Sequence, residues 1–223
     1  MSNATLFEIG AFHVNSVMTT SLAITAVVSV VAIAGTRNLK ERQPGRLQSA
    51  LEYVVGGLRD FYGSIIGKEK ATAFLPVLGT LFLYIIISNY SGLLPFAGEL
   101  PGFQPPTGTL SCTVGLALVT FLTTQYGGFK YHGVHYLGHF VKPVAPLLPL
   151  MLLEEVTHPL SLSLRLFGNI YGEETVLHQV SGLIPLGAPI VIMGLSLLFG
   201  FIQALVFTML SAIYIDTATS AGH

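Results

Sequence analysis

Long apolar runs recur along the chain, and short polar segments separate them. Five runs are long enough to cross a ~30 Å hydrocarbon core, which takes about 20 helical residues. They cover approximately residues 14–36, 71–94, 109–128, 143–179 and 186–217. As helices, the last two would be about 55 and 48 Å long, so they must tilt strongly, break, or lie nearly in the membrane plane. Pro185 to Gly187 separates these two and predicts an antiparallel hairpin.

The polar segment between the first two runs contains a second pattern. After Pro44 and Gly45, apolar residues recur at helical spacing: Leu47, Leu51, Val54, Leu58, Phe61 and Ile65. This pattern predicts an amphipathic helix over about 46–70, on the membrane surface or against a partner. The predicted fold class is an all-α membrane protein with about five membrane helices, the last two a long, strongly tilted hairpin, plus one amphipathic surface helix. Residues 1–223 are expected to form a single integral membrane domain.

Composition excludes a soluble domain, because 9% charged residues is far below the roughly 25% that is typical of one. A net charge of −1 offers no basic surface for nucleic acid. The single cysteine, Cys112, excludes an internal disulfide framework and is expected to be an inert packing residue. Residues 1–13 contain Glu8 but no Lys or Arg, unlike a secretory signal peptide, so we expect the first apolar run to remain as a span.

The basic residues predict an orientation. Of the ten Lys and Arg, seven lie between the first two spans and two between the third and fourth. All nine fall on one side of a five-span arrangement, and the positive-inside rule assigns that side to the cytoplasm. The N-terminus is therefore expected outside and the C-terminus inside. The tenth basic residue, Arg165, lies in the middle of the fourth span.

The fourth span carries polar and ionisable residues along most of its length: Glu154, Glu155, His158, Arg165, Asn169, Glu173, Glu174 and His178. A charged side chain at the bilayer centre costs at least ~2.5–3.5 kcal/mol, so such residues persist where they face a cavity or a partner. Internal ion pairs that pin helices together are one explanation. A proton pathway accounts better for groups that are spread over so many turns.

Helical geometry places these groups on either side of Arg165. At 100° per residue, Glu154, His158, Asn169 and Glu173 lie within about 80° of Arg165, whereas Glu174 lies on the opposite face. Along the axis, Glu173 and Glu174 are about 12–14 Å away towards the outside, and the group from Glu154 to His158 is about 10–17 Å away towards the inside. Two half-paths that do not meet would have this arrangement.

An arginine at the midpoint of the fourth span is suited to block proton movement along it, because its side chain stays charged and cannot relay a proton. Such a cation blocks a direct leak and promotes ionisation of a carboxylic acid that passes it. The chain contains no second membrane carboxylate that would move past Arg165, so this carboxylate should come from another subunit.

Other classes of function fit the sequence less well. A self-contained secondary ion transporter is the main alternative, but it predicts internal repeats and broken helices in both halves, and none is evident. A purely structural anchor would not need the stripe around Arg165. An enzyme would need a nucleophile with a base, or metal ligands, at one depth. His132, His135 and His139 have a spacing that a metal can use, but solvated histidines are the simpler explanation, so neither metal nor cofactor is expected.

The motif around Arg165 resembles the a subunit of F-type ATP synthase, in the bacterial or cyanobacterial and plastid style. Its core is the run from Arg165 to Asn169, followed by Glu173 and Glu174. The segments from Phe74 to Pro95 and from Ile202 to Ile215 resemble the family's second span and last helix. This resemblance implies a non-catalytic, proton-translocating subunit whose last two helices lie against a ring of c subunits.

The resemblance also implies a role for individual residues. Arg165 is similar to the essential arginine that faces the c-ring carboxylates, and Gln203 to the polar residue packed near it. The outer path is implied to contain Asn89, Asn169, Glu173 and Glu174, and the inner path Glu154, Glu155 and His158. Some relatives have a His or an acid where this chain has Ser196, which cannot titrate, so Glu173 is the candidate for that second group.

The implied partners are the c-subunit ring, the b subunits of the peripheral stalk, other ATP synthase subunits and the lipid bilayer. The implied location is an energy-coupling membrane, most simply a bacterial plasma or inner membrane, with the thylakoid as an alternative.

Overall fold

The computed structural model describes residues 5–9, 12–36, 45–93, 104–133, 148–183 and 188–220. These residues confirm a helical membrane protein, and they add a feature that the sequence analysis did not predict. Strands β1 (Thr5–Ile9) and β2 (Phe12–Asn15) pair as an antiparallel hairpin before the first helix. The hairpin is only a small departure from an all-α fold. Alternating β-branched and aromatic residues around Gly10 favour it.

The described residues after the hairpin form six long helices. They are α1 (Ser16–Thr36), α2 (Arg46–Ile66), α3 (Lys68–Ser91), α4 (Leu110–His132), α5 (Leu148–Leu183) and α6 (Ala188–Ser220). One short 3-10 helix, Pro106–Gly108, precedes α4. The predicted turn at 185–187 and two of the three clustered histidines, His135 and His139, lie outside the described residues.

The amphipathic helix ends earlier than its apolar pattern predicted. We expected it to reach about residue 70, but α2 ends at Ile66 and α3 begins at Lys68. The cause is Gly67, whose φ of 82° and ψ of 148° interrupt the helix in a conformation that residues with a Cβ rarely adopt. The chain changes direction there, so residues 68–70 belong to the next helix.

Three helices among the described residues are long and apolar enough to cross a membrane. They are Ser16–Ala34 within α1, all of α3, and Ile190–Ser220 within α6. Helix α4 is rich in Thr and Gly, and α5 carries ionisable side chains, so neither is a continuous apolar stretch. Helices α5 and α6 contain 36 and 33 residues, which corresponds to about 54 and 50 Å.

Two apolar clusters hold the helices together. The first joins α2, α3 and α6 through Tyr62, Phe74, Leu78 and Ile215, with Ile66, Ala71 and Ala212. Burial raises the pKa of Tyr62 to about 12, so this side chain stays neutral at physiological pH. The second cluster joins α3, α4, α5 and α6 through Phe82, Ile85, Ala117, Leu162, Leu166, Ala204 and Phe207. The central part of α5 is therefore packed on its buried side by apolar residues from three other helices.

Polar contacts connect the helix ends on the side predicted to be cytoplasmic. Lys70 donates to Asp216 at 2.8 Å and to Ser220 at 2.7 Å, linking the start of α3 to the end of α6. Asp216 is therefore paired near the end of α6. His132, which was expected to be solvated, is half-buried and also contacts the backbone of α6. Its Nε2 lies 2.9 Å from the carbonyl oxygen of Thr219, because α4 and α6 end side by side.

The packing of α4 predicts a stability difference between two glycines of the same helix. A Cβ at Gly127 would lie 3.1 Å from Cζ of Phe74 and 3.2 Å from Cγ2 of Thr219, whereas a Cβ at Gly115 would meet nothing within 4 Å. We expect Gly127→Ala to destabilise the protein by about 1–3 kcal/mol through overpacking. Gly115→Ala is the matched control and should leave stability unchanged or raise it slightly. The measurement is the thermal unfolding midpoint of the purified protein in detergent, and equal midpoints for the two variants would contradict this packing.

Candidate functional site

The candidate site is built along α5, the helix that carries most of the ionisable residues between the membrane surfaces. Arg165 lies near its middle and is exposed on the surface of the chain. Its neighbours Leu162 and Leu166, about 60° and 100° away around the helix, are buried in the second apolar cluster. The side chain at position 165 therefore lies at the edge of the packed region and faces away from it.

No hydrogen bond or ion pair holds Arg165 within the part of the chain that the structure describes. Its guanidinium group does lie near enough to the hydroxyl group of Tyr214 on α6 for the two to interact electrostatically. A cation that lacks a carboxylate partner in its own chain is costly in a membrane. The arrangement thus leaves the arginine available to an acidic group from outside the described residues.

A small cavity lies to one side of Arg165, between α3, the 3-10 helix, α5 and α6. Asn89, Glu173, Glu174 and Ser196 line it, and we call these four residues the outer cluster. The cavity has room for about 20 Å³ of water, roughly the space that one molecule requires. Asn89 and the two glutamates, which the family resemblance implied for one proton path, line the same cavity in the structure.

Specific contacts position the outer cluster. Nδ2 of Asn89 donates a 3.0 Å hydrogen bond to the carbonyl oxygen of Gly200, which ties α3 to α6. The hydroxyl group of Ser196 lies near the Glu173 carboxylate across the cavity, but not in hydrogen-bonding geometry. Glu174 lies against the 3-10 helix, since a Cβ at Gly108 would be only 3.4 Å from its Oε1. The two adjacent glutamates therefore point towards different elements.

Several buried polar atoms around this cavity have no hydrogen-bond partner among the described residues. They are Oγ of Ser88, Oδ1 of Asn89, Oγ1 of Thr107, Oε1 of Glu173 and Nε2 of Gln203. Such atoms are rare in folded proteins, and bound water usually accounts for them. Of these residues, Asn89 and Glu173 line the cavity itself, where a bound water molecule would satisfy their oxygens.

The polar residues on the other side of Arg165 also contact neighbouring helices. We call Glu154, Glu155 and His158 the inner cluster. Nε2 of Gln125 on α4 donates a 2.8 Å hydrogen bond to Oε2 of Glu155, and Nε2 of His158 lies 3.6 Å from Oε1 of Glu154. The His158 ring stacks on Tyr214 with centroids 4.1 Å apart.

Apolar packing separates the two clusters. Between His158 and Glu173, the buried residues of α5 are Leu162, Ser163, Leu166 and Ile170. Leu162 and Leu166 pack in the second apolar cluster with Phe207 and other residues. The Ser163 hydroxyl group donates a 3.0 Å hydrogen bond to the Leu160 carbonyl oxygen of its own helix. Because α5 rises about 1.5 Å per residue, the clusters are more than about 20 Å apart along its axis.

Two predicted residues stand apart from both clusters. Asn169 is half-buried one turn from Arg165 and does not line the cavity. Gln203 is 7% exposed on α6, among the buried residues next to Ala204 and Phe207. His178 belongs to α5, and its side chain lies outside the described part of the structure.

Sequence reasoning missed several residues that the structure adds to the two clusters. Gln125 and Tyr214 join the inner cluster, whereas Gly108, Ser88 and Thr107 surround the outer one. The only sequence signal for any of these was the position of Ser88 directly before Asn89. The other contacts depend on which faces of separate helices meet.

Comparison with known families agrees with this geometry. The family model described as the ATP synthase A chain matches residues 17–216, which include all of the residues of both clusters and Arg165. Members of this family act together with a ring of c subunits and other ATP synthase subunits. This sets aside the alternative of a self-contained secondary transporter. The chain therefore belongs to the ATP synthase A chain family, whose members are the non-catalytic, proton-translocating, multi-pass subunit of the membrane sector of F-type ATP synthase.

Proposed function

We propose that this chain conducts protons through two offset half-channels, one formed by the outer cluster and one by the inner cluster, with Arg165 between them. The observation that carries the proposal is the apolar packing of Leu162 and Leu166, which separates two polar regions on the same helix. Protons that enter one half-channel can reach the other only by leaving this chain. A carboxylate of the rotating c-ring is the group that would carry them.

The outer half-channel is assigned to Asn89, Asn169, Glu173 and Glu174. Three of these line the cavity, and the buried polar atoms without partners nearby support a hydrated path. Ser196 adds a hydroxyl group to the lining of this cavity, but a serine hydroxyl group cannot itself titrate in this pH range. The pair of glutamates therefore supplies the ionisable groups on this side.

The inner half-channel is assigned to Glu154, Glu155 and His158. The hydrogen bond from Gln125 fixes the Glu155 carboxylate, and stacking on Tyr214 fixes the His158 ring. Carboxylate and imidazole groups can both accept and release protons. A c-ring carboxylic acid that arrives here would lose its proton to this side.

Arg165 acts as the barrier between the half-channels. It stays charged, so it cannot relay a proton, and it attracts a c-ring carboxylate that has lost one. Gln203 is buried on the adjacent helix with Nε2 unpartnered among the described residues, which suits a donor that supports the ion pair. Each proton that moves through the membrane potential contributes about 2.3 kcal/mol per 100 mV to rotation.

The exposed surface of the α5 and α6 hairpin suits contact with the ring. Leu160, Leu164 and Tyr171 on α5, and Leu195 and Leu198 on α6, are all exposed in the isolated chain. Helices of about 50 Å exceed a normal crossing and must tilt strongly in a membrane. A tilted hairpin of this length would follow the curved side of a ring and place Arg165 at its midpoint.

The orientation of the chain is assigned from its basic residues, and the stalk contact from the exposed face of α2. The N-terminus lies outside and the C-terminus lies in the cytoplasm, because nine of the ten basic residues fall on the inner side. The membrane is a bacterial plasma or inner membrane, with the thylakoid as the alternative. Helix α2 leaves Tyr53, Val54 and Val55 exposed, and this face is assigned to the b subunits of the peripheral stalk.

Replacement of Arg165 tests the central residue. We expect Arg165→Ala to abolish ATP-driven proton pumping, because the barrier and the attraction for the c-ring carboxylate are both lost. Pumping is measured in membrane vesicles that contain the assembled complex, and assembly is checked by subunit content. Arg46→Ala, an exposed arginine at the start of α2, is the control and should pump normally. Normal pumping by an assembled Arg165→Ala complex would refute this mechanism.

A glycine pair on α6 tests the outer cluster without removing a charge. A Cβ at Gly200 would lie 3.3 Å from Cβ of Asn89 and would disturb the hydrogen bond that ends on the Gly200 carbonyl. We expect Gly200→Ala to lower the pumping rate about fivefold, the rate equivalent of weakening one hydrogen bond. Gly194→Ala is the control on the same helix, since no atom lies within 4 Å of its Cβ position. If both variants pump at the same rate, the contact between Asn89 and Gly200 has no part in proton transfer.

A further inference from the structure

A wide cleft with polar groups in its walls opens between the start of α1 and the start of α4, on the side predicted to be outer. Ser21, Thr109, Ser111 and Cys112 supply its polar lining, with Met18 and Leu22 among the apolar residues at its edge. It has room for about 430 Å³ of water, far more than the cavity of the outer cluster. None of these residues belongs to either proposed half-channel.

Tyr84 of α3 reaches the base of this cleft. Its hydroxyl oxygen lies 2.6 Å from Oγ of Ser21 and 3.7 Å from Sγ of Cys112, so one phenol contacts polar groups from both walls. The Tyr84 side chain thereby carries a hydrogen-bonding group from the cleft into the packed interior of the helices.

A second hydroxyl group continues the line towards the outer cluster. Ser88 lies one turn after Tyr84 on α3 and is 0% exposed. Its hydroxyl group lies near that of Tyr84 but not in hydrogen-bonding geometry, and it has no partner among the described residues. Ser88 directly precedes Asn89, which lines the cavity of the outer cluster.

The 3-10 helix provides a second connection between the same two places. Thr109 lines the cleft, whereas Gly108, the residue before it, lies against the carboxylate of Glu174. Thr107 is 0% exposed, and its hydroxyl group also has no partner in the described part of the chain. Only a single turn of backbone, with one unsatisfied hydroxyl group, therefore separates the cleft from Glu174.

We propose that this cleft is a water-filled entrance to the outer half-channel, and that the hydroxyl groups of Tyr84 and Ser88 position the water chain that leads from it to Asn89 and Glu174. The proposal rests on the outer half-channel of the proposed function and adds its point of access. Proton transfer along the chain leaves no charge on Tyr84, because its oxygen accepts one proton as it releases another. Ser88 acts in the same way.

The unpartnered hydroxyl groups behind the cleft favour water there. Ser88 and Thr107 are buried next to the cleft, and their oxygens have no partner among the described residues. Water supplies such partners at little cost. Helix α1 is apolar over most of its surface, yet it turns Ser21 towards Tyr84.

Cys112 tests whether the cleft holds water, because it is the only cysteine of the chain and lies in the cleft wall. A positively charged methanethiosulfonate reagent that does not cross membranes is applied to the assembled complex, from each side of the membrane in turn. We expect the reagent to modify Cys112 from the outer side only and to slow proton pumping by obstructing the cleft. Pumping by the Cys112→Ser complex should be insensitive to the reagent. If Cys112 reacts only with a membrane-permeant reagent such as N-ethylmaleimide, the cleft is filled by lipid or covered by another subunit, and the proposal is wrong.

Tyr84→Phe tests the water chain, because it removes one hydroxyl group and keeps the ring. We expect the rate of ATP synthesis driven by protons that enter from the outer side to fall about fivefold, the rate equivalent of one lost hydrogen bond. Tyr126→Phe is the matched control, since Tyr126 is 63% exposed on α4 and lies away from the cleft. A defect in proton supply should be largely restored when the outer proton concentration is raised tenfold, whereas a purely structural defect should not respond.

Two results separate this proposal from the function on which it rests. If Tyr84→Phe synthesises ATP like the wild type at every outer pH while Arg165→Ala does not pump, the entrance is wrong and the half-channel mechanism stands. If Arg165→Ala also pumps normally, the half-channel mechanism fails, and the entrance fails with it.

Discussion

The structure depends on a positive charge that has to be kept inside a membrane. Arg165 lies near the middle of α5, where insertion of a charged side chain costs at least ~2.5–3.5 kcal/mol. No ion pair or hydrogen bond within the described residues offsets that cost. In the proposed mechanism this has two consequences. A carboxylate from another subunit must visit the arginine, and water must reach the residues on either side of it without passing through.

Apolar packing meets the second of these requirements. Leu162 and Leu166 are buried against Phe207 and the residues of α3 and α4, so the polar groups above and below them are kept apart. Each polar cluster is in turn held by contacts with other helices, such as Asn89 with Gly200 and Gln125 with Glu155. Separation and positioning thus come from the same packing of α5 against its neighbours.

The fold was largely predictable because membrane helices leave a strong pattern in sequence. Apolar runs of about 20 residues predicted the long helices, and apolar spacing predicted the amphipathic helix α2. Two local features were not predicted. The N-terminal hairpin is short, and patterns of four or five residues do not distinguish strands from loops. The break at Gly67 depends on a backbone conformation, which the identity of a glycine allows but does not require.

The sequence by itself determined the ionisable residues, their order along one helix, and the family motif around Arg165. Helical periodicity even separated the two groups of acids by depth, because rise per residue is nearly constant in a helix. Only the tertiary structure decided which residues they meet. Ser196 near Glu173, Tyr214 on His158 and Gly108 against Glu174 join positions that are distant in the chain. Such contacts depend on how each helix is rotated towards its neighbours, and rotation is set by packing in three dimensions, which no local pattern of residues records.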